Sequence, residues 1–284
     1  MIERVGAARL VKLTVLVDDC VRRRGLLAEH GLAVWIETDS ARVLFDTGQG
    51  LTLCHNARAL GIDLHATDAI VLSHGHYDHA GGLGAARDCF ADARLFVHPS
   101  AFRPRYAASS QGGSRPVHSQ LGALEEARAL VREVTLTARP TQVAPGIWAT
   151  GPIPRRTEFE DTGGAFYLDP ELRETDSIVD DQALVIETGQ GSVLLLGCGH
   201  AGLVNTLEHV AALSPKQPLR AVLGGFHLLS ASEGRINKTV QSLLRHESLR
   251  VGPAHCTGLA AKARLLAAFG HRFIEVSAGT SVPL

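Results

Sequence analysis

The stretch Ser73-His74-Gly75-His76-Tyr77-Asp78-His79-Ala80-Gly81-Gly82 constrains this chain more than any other. It follows Asp68-Ala69-Ile70-Val71-Leu72, an apolar run short enough to be a buried strand. Residues 83–87, just after it, have the composition of a helix start. Three imidazoles and a carboxylate therefore share one strand-to-helix loop. Neutral imidazole and carboxylate are the usual nitrogen and oxygen ligands of zinc, iron and manganese. His74 and His76 are two residues apart, so in extended backbone they point the same way. Asp78 and His79 come a turn later and can face a second point. The spacing predicts two adjacent metal positions fed from one loop. The plain alternative is a polar surface loop with chance histidines. Four ligand-type side chains within six residues, ended by Gly81-Gly82, argue against it.

Composition excludes some classes of function. The 284 residues allow one or two domains with a sizeable core. No linker-like stretch divides them, so a single domain over 1–284 is expected. A net charge of −1 gives no bulk electrostatic reason for a nucleic-acid or membrane partner. Residues 1–6 lack a basic region followed by an apolar one, so no signal peptide is expected, and no apolar run approaches a membrane span. The five cysteines are odd in number and scattered, which suits a reducing cytoplasm better than a disulfide scaffold. With 14 histidines in the chain, a histidine counts only by its context; His30 and His118 lie in ordinary places.

Periodicity supplies the architecture. Residues 10–17, 32–38 and 41–45 have strand patterns, the last two joined by Asp39-Ser40 as a hairpin. Residues 51–60 have helical spacing, with Gly61 as a stop. A strand at 94–99, a helix at 121–132 and a strand at 142–150 follow. A second hairpin, 183–188 and 192–196, leads into helix 203–213, strand 220–223, helix 236–247, strand 249–251, helix 259–269 and a last strand at 273–276. Strands first, then alternating strand and helix, occur twice. Two sheets packed face to face with helices outside fit that order. Residues 100–120 and 151–181 lack an apolar period. Loops of that length in a compact chain are usually functional, and these are expected to wall the metal edge.

Cys198, His200, His227 and His255 also stand where apolar runs stop, flanked by glycine or proline. Loops at one edge of a sheet converge, so these side chains can join the histidine loop. Taken singly, each is better explained as a hydrogen-bonded residue near the core. Arg155-Arg156 lies in the second irregular stretch; guanidinium forks suit phosphate or carboxylate. With Glu158, Glu160 and Asp161 nearby, a solvated pair explains these arginines equally well.

The sequence Ser73–Gly82 resembles the HxHxDH motif of the metallo-β-lactamase superfamily, preceded by a strand ending in Asp46-Thr47-Gly48. The resemblance runs over nearly the whole chain. It implies an α/β fold of αββα type, two mixed sheets with helices on the outer faces, and a dinuclear metal site at one edge. It implies His255, in Pro253-Ala254-His255-Cys256-Thr257-Gly258, as the last metal histidine. It implies a role for Asp46 in orienting the histidine loop. Two departures stand out. Cys198 occupies the place of the usual metal-bridging aspartate, and a thiolate can also bridge. No histidine matches the usual mid-chain ligand, where Gly151-Pro152-Ile153-Pro154 stands, and His200 is the expected substitute. The segments around Asp180-Asp181, Gly197-Cys198, Gly224-Gly225-Phe226-His227 and Pro253 are similar to a subgroup that includes the dihydropterin–ribofuranosylaminobenzene 5′-phosphate synthases. That likeness implies a substrate with phosphate and a flat ring system.

The expected metal set is thus His74, His76, Asp78, His79, His200, His255 and Cys198, holding one or two divalent ions, with zinc first and iron or manganese as alternatives. Asp78 is the expected catalytic group; Arg155, Arg156 and His227 are expected to touch an anionic small-molecule substrate, and a homodimer is compatible with this reading. The leading expectation is a hydrolase using metal-activated water on a phosphate-containing or other ester-type substrate. The alternatives are a transferase condensing a dihydropterin pyrophosphate with an aryl ribofuranosyl phosphate, and a metal-binding ligand sensor on a degenerate hydrolase frame.

Overall fold

Val43, Leu44 and Phe45 are all fully buried, although successive side chains of a strand point to opposite faces. Both faces must therefore be covered. Val43 and Phe45 face a core shared with Ile147, Leu184, Ile186, Leu195 and Leu223. Leu44 faces the other way, with Ile70 and Leu72, onto Leu53, Ala57 and Leu83. The mirror arrangement holds across the core: Leu194, Leu196, Val222 and Val251 pack outward on Leu203, Leu207, Ile236 and Leu265. The result is helix, sheet, sheet, helix.

The computed structural model describes residues 11–119, 122–214 and 217–284. The expected strand start at Leu10, helix start at Leu121, loop end at Gln120 and the reading of residues 1–6 lie outside them. The strands are β1 (Val11–Val17), β2 (Ala33–Thr38), β3 (Arg42–Phe45), β4 (Ala69–Val71), β5 (Arg94–Val97), β6 (Tyr106–Ala108), β7 (Ser114–Pro116), β8 (Glu133–Leu136), β9 (Thr141–Ala144), β10 (Ile147–Ala149), β11 (Phe166–Tyr167), β12 (Ala183–Thr188), β13 (Gly191–Leu196), β14 (Leu219–Gly225), β15 (Arg250–Ala254) and β16 (Ser281–Pro283). The helices are α1 (Leu53–Ala59), α2 (Tyr77–Ala80), α3 (Gly82–Ala85), α4 (Leu124–Arg128), α5 (Leu203–Leu213), α6 (Glu233–Leu244) and α7 (Leu259–Phe269). One sheet runs β16-β1-β2-β3-β4-β5-β8 and the other β15-β14-β13-β12-β10-β9. Each contains an antiparallel hairpin, β2–β3 or β12–β13, followed by parallel strands. In the first hairpin the Thr38 hydroxyl accepts from the N–H of Ser40 and Ala41 and holds the turn. Parallel neighbours need crossovers, and α1, α5 and α6 provide them. Among the described residues no helix is long and apolar enough to cross a membrane.

Several elements differ from the sequence pattern. Residues 273–276 were expected as the last strand. They make only an isolated bridge, Val251 with Phe273, before the chain crosses to the other sheet. There Ser281–Pro283 pairs antiparallel with β1; Pro283 lacks a donor and sits on an edge strand, where none is needed. The 142–150 stretch is a hairpin, β9–β10, rather than one strand. Of the helix expected over 121–132, only α4 forms among the described residues, and β8 follows it as a half-exposed edge strand whose residues carry little apolar signal. The two irregular stretches contribute a third sheet, β11-β6-β7.

Candidate metal centre

The loop after β4 is fixed by one carboxylate. Asp46, just past β3, has φ +58°, a left-handed conformation uncommon outside glycine. Its Oδ1 accepts the Ser73 N–H at 2.7 Å; its Oδ2 accepts the Ser73 hydroxyl and His79 Nδ1–H, both at 2.7 Å. Since the Ser73 proton goes to Asp46, His74 Nδ1, 2.9 Å from Ser73 Oγ, must be the donor of that pair. Similar tethers hold His200 Nδ1 to the Thr162 carbonyl at 2.8 Å and His255 Nδ1 to Asp19 Oδ1 at 2.5 Å. The tethers of His74, His79 and His200 place the ring proton on Nδ1 and leave Nε2 with a free lone pair, whereas His255, between Asp19 and Asp78, is held well above the usual histidine range and would release its Nε2 proton only to a cation. This is how ligating imidazoles are commonly oriented.

Those lone pairs converge. The ligand-type atoms of His74, Cys198 and His200 lie within 4.8 Å of one another, as do those of Asp78, His79, Cys198 and His255. His76 stands beside the first group, its ring centroid 4.5 Å from that of His74 and 4.9 Å from that of His200. Cys198 Sγ belongs to both groups and is 3.1 Å from His79 Nε2. The Nε2 atoms of His74, His76, His200 and His255 are buried without a hydrogen-bond partner, that of His255 facing Asp78 Oδ2 at 3.4 Å. A buried polar atom left unpaired costs about 1–3 kcal/mol, so four in one cluster call for a common occupant, and a cation fits this donor set. Burial, reinforced by the crowding of imidazoles that cannot all carry charge together, holds the pKa of His74 and His200 well below the usual histidine range. Burial does the same for His76. All three are neutral and able to ligate. Burial likewise pushes the Cys198 thiol well up; a cation at its sulfur would reverse that. Burial opposes ionisation of Asp78, but His79 and His255 outweigh it and hold its carboxyl well below the usual range.

The loop itself is braced from behind. Asp180 Oδ2 accepts the Gly75 N–H at 2.8 Å. A Cβ on Gly75 would come 2.0 Å from the Ala101 carbonyl oxygen, so only glycine fits where the two segments cross. Gln182 donates its side-chain amide to the Leu72 carbonyl at 2.8 Å.

The seven residues expected around metal meet at one edge of the sandwich, and Asp46 accepts a hydrogen bond from His79 Nδ1. His227, with φ +44°, lines the same cleft, 4.4 Å between ring centroids from His200. The arginine expectation needs correction. Arg155 donates to the carbonyls of His200 and Ser177, both at 2.5 Å. Neither Arg155 nor Arg156 lines the cleft. The segment from Arg156 to Glu160 is pinned on α5, where Asn205 Oδ1 accepts the Arg156 and Thr157 N–H and the Glu160 carboxylate accepts the N–H of Val204 and Asn205. Arg155 thereby supports His200 from outside. The walls do come from the two irregular stretches, through Arg115, Val117, Gly163 and Phe166.

Sequence reasoning missed Asp19 and His30. Asp19 Oδ2 lies 3.0 Å from His30 Nδ1, while its Oδ1 holds His255; His30 Nε2 is 3.3 Å from Asp78 Oδ2. His30 is therefore not in an ordinary place. Asp18-Asp19 follows β1 directly, and the strand-end rule that singled out His200 and His255 applies to it equally.

An αββα sandwich with a histidine, aspartate and thiol cluster at one edge defines a class. The chain belongs to the metallo-beta-lactamase superfamily, whose family model matches residues 27–198. It is 29% identical, over 98% of both chains, to the 7,8-dihydropterin-6-methyl-4-(beta-D-ribofuranosyl)-aminobenzene-5'-phosphate synthase of Methanocaldococcus jannaschii. It is 30% identical to a solved structure described as a metal-dependent hydrolase of the beta-lactamase superfamily, with TM-score 0.79 over 96% of this chain and 98% of that one. The Zn(2+)-bound PqqB of Methylobacterium extorquens shares the fold at 14% identity, TM-score 0.57, over 96% of this chain and 100% of that one.

Asp46 offers a first test. Asp46→Asn keeps the size of the side chain but removes the charge opposite His79. Outer carboxylates of this kind carry about 10–100-fold in metal affinity. The expected loss lies in that range, measured by competition with a chromophoric chelator. An affinity equal to wild type would remove Asp46 from the site's architecture.

Proposed function

We propose that this chain is a metal-dependent hydrolase of the superfamily, acting on a small anionic substrate with an ester-type bond. The observation that carries the reading is the convergence of unpartnered imidazole Nε2 atoms on two groups that share Cys198. His74, His76 and His200 would hold one ion, Asp78, His79 and His255 the other, with Cys198 between them. A thiolate among nitrogen and oxygen donors favours zinc or iron over manganese. Ions held there would supply Lewis-acid polarisation and a water of lowered pKa. The chain's own part is to position and to exclude. Asp78 lines the cleft as a charged carboxylate and is placed to accept a proton from an attacking water. Asp19 and Asp46 fix the rings of His255 and His79 through Nδ1. Phe166, 4.9 Å from the His76 ring and 5.2 Å from the His200 ring, covers the site on one side. Five free cysteines suit the reducing cytoplasm as its compartment.

A second reading is a pterin-condensing transferase, favoured by the likeness along the whole chain to the synthase named above. One assay separates the two. Metal-reconstituted protein is offered lactones, thioesters, phosphodiesters and a dihydropterin pyrophosphate, the last with and without an aryl ribofuranosyl phosphate. Hydrolysis of any single substrate supports the first reading. Pyrophosphate release that requires the aryl partner supports the second. Metal-loaded protein that turns over none of them contradicts both.

A further inference from the structure

The three-stranded sheet beside the metal centre carries a row of residues in register. Phe166 on β11 pairs with Ala107 on β6, and Ala107 pairs with Arg115 on β7. Residues directly opposite one another across strands share a face. Phe166 and Arg115 therefore project from the same side, two strand spacings or about 10 Å apart. Between them lies only the methyl group of Ala107. Both residues line the cleft of about 190 Å³ that also contains His76, Asp78, Cys198 and His200. Arg115 is the one lysine or arginine among the described cleft residues, and its guanidinium interacts with Tyr77.

This sheet is fixed to the histidine loop. The Tyr77 N–H donates to the Val117 carbonyl at 3.0 Å, the Ser119 N–H donates to the Gly75 carbonyl at 3.0 Å, and His76 bridges with His118. Arg115 thus sits two residues from a backbone bond to the loop that carries the candidate ligands. Phe166 lies against the imidazoles of His76 and His200, whereas Arg115 belongs to neither ligand group.

From this row we propose that Phe166 and Arg115 form a substrate subsite for an oxyanion joined to a flat ring: the ring lies on Phe166 near the metal groups, and the phosphate or carboxylate is gripped by the Arg115 fork. The anion is then a handle for binding, set away from the reacting bond. This rests on the reading of the cleft as an active site and replaces the role first expected of Arg155 and Arg156.

The test is a calorimetric titration of metal-loaded protein, and of protein stripped by chelator, with phenyl phosphate, benzoate, methyl phosphate and phenol. In wild type, phenyl phosphate or benzoate should bind more tightly than methyl phosphate and phenol, and the better of the two identifies the handle. Arg115→Gln should weaken the better ligand about tenfold or more, as expected when charged hydrogen bonds are lost. Arg115→Lys should recover part of the loss, because charge returns without the fork. Phe166→Leu should weaken phenyl phosphate and leave methyl phosphate unchanged. Metal content should stay at the wild-type level in Arg115→Gln. The proposal is overturned if wild type binds neither aryl anion more tightly than phenol, or if Arg115→Gln binds the better one within twofold of wild type. Protein that takes up no metal would end the hydrolase reading, while the titration of stripped protein would still decide the subsite.

Discussion

Arg105→Met is expected to destabilise the protein by about 3–5 kcal/mol, the cost of breaking a buried ion pair by removing one partner. The Arg105 side chain is fully buried. Its Nε donates to Asp176 Oδ2 at 2.6 Å, its Nη1 to Asp180 Oδ2 at 2.9 Å, and its Nη2 to Asp180 Oδ1 at 2.5 Å and to the Ser100 carbonyl at 3.1 Å. Burial would lower the guanidinium pKa, but Asp180 and Asp176 outweigh it and keep the group firmly charged. Without Arg105, two buried carboxylates face each other with no cation between them. The loss should appear in urea unfolding as a lower midpoint at unchanged slope. Adding Asp176→Asn and Asp180→Asn to Arg105→Met should recover part of it, since the stranded charges are then gone. A loss below about 1 kcal/mol, typical of an exposed pair, would show that the network is not closed to water. Because Asp180 also accepts the Gly75 N–H, the single variant should weaken metal binding as well.

The second large effect is expected at Cys198. Its sulfur is the one atom common to both ligand groups, so Cys198→Ala removes a donor from each at once. Changes outside the ligand set already carry about 10–100-fold; loss of the shared ligand should lower metal affinity by at least about 100-fold. Cys198→Asp puts a carboxylate where the superfamily motif usually has one. It should restore binding and shift preference from zinc or cadmium towards manganese, because hard oxygen replaces soft sulfur. Cys198→Ala that keeps two ions at wild-type affinity would make Cys198 a bystander.

How far the sequence reveals this site follows from how each contribution is encoded. His74, His76, Asp78 and His79 are legible because four ligand types crowd one loop between an apolar run and a glycine pair. Cys198, His200 and His255 are legible as a set, through the rule that strand ends meet at one edge. Asp19 stands at a strand end like His200 but has no flanking glycine or proline to mark it; His30 acts singly and far from that loop in sequence, so only its position in space reveals it. Arg105 lies in a stretch without apolar period, where nothing in the pattern marks a side chain that folding buries completely. Arg155 shows the opposite error: loop composition suggests an anion site but does not tell which way a guanidinium points, and this one holds backbone carbonyls. In the fold, strands covered on both faces stand out as apolar runs. β8 does not, being a half-exposed edge, and residues 273–276 have a strand's pattern but little to pair with.

The proposed centre is two ions sharing one thiolate. The direct measurement is diffraction from metal-reconstituted crystals with data on both sides of the absorption edge of the ion supplied. Two anomalous peaks are predicted, one among His74, His76 and His200 and one among Asp78, His79 and His255, each with Cys198 Sγ at about 2.3 Å, the ordinary zinc–thiolate distance. Anomalous peaks lying elsewhere, or a Cys198 sulfur turned away from both ions, would contradict it.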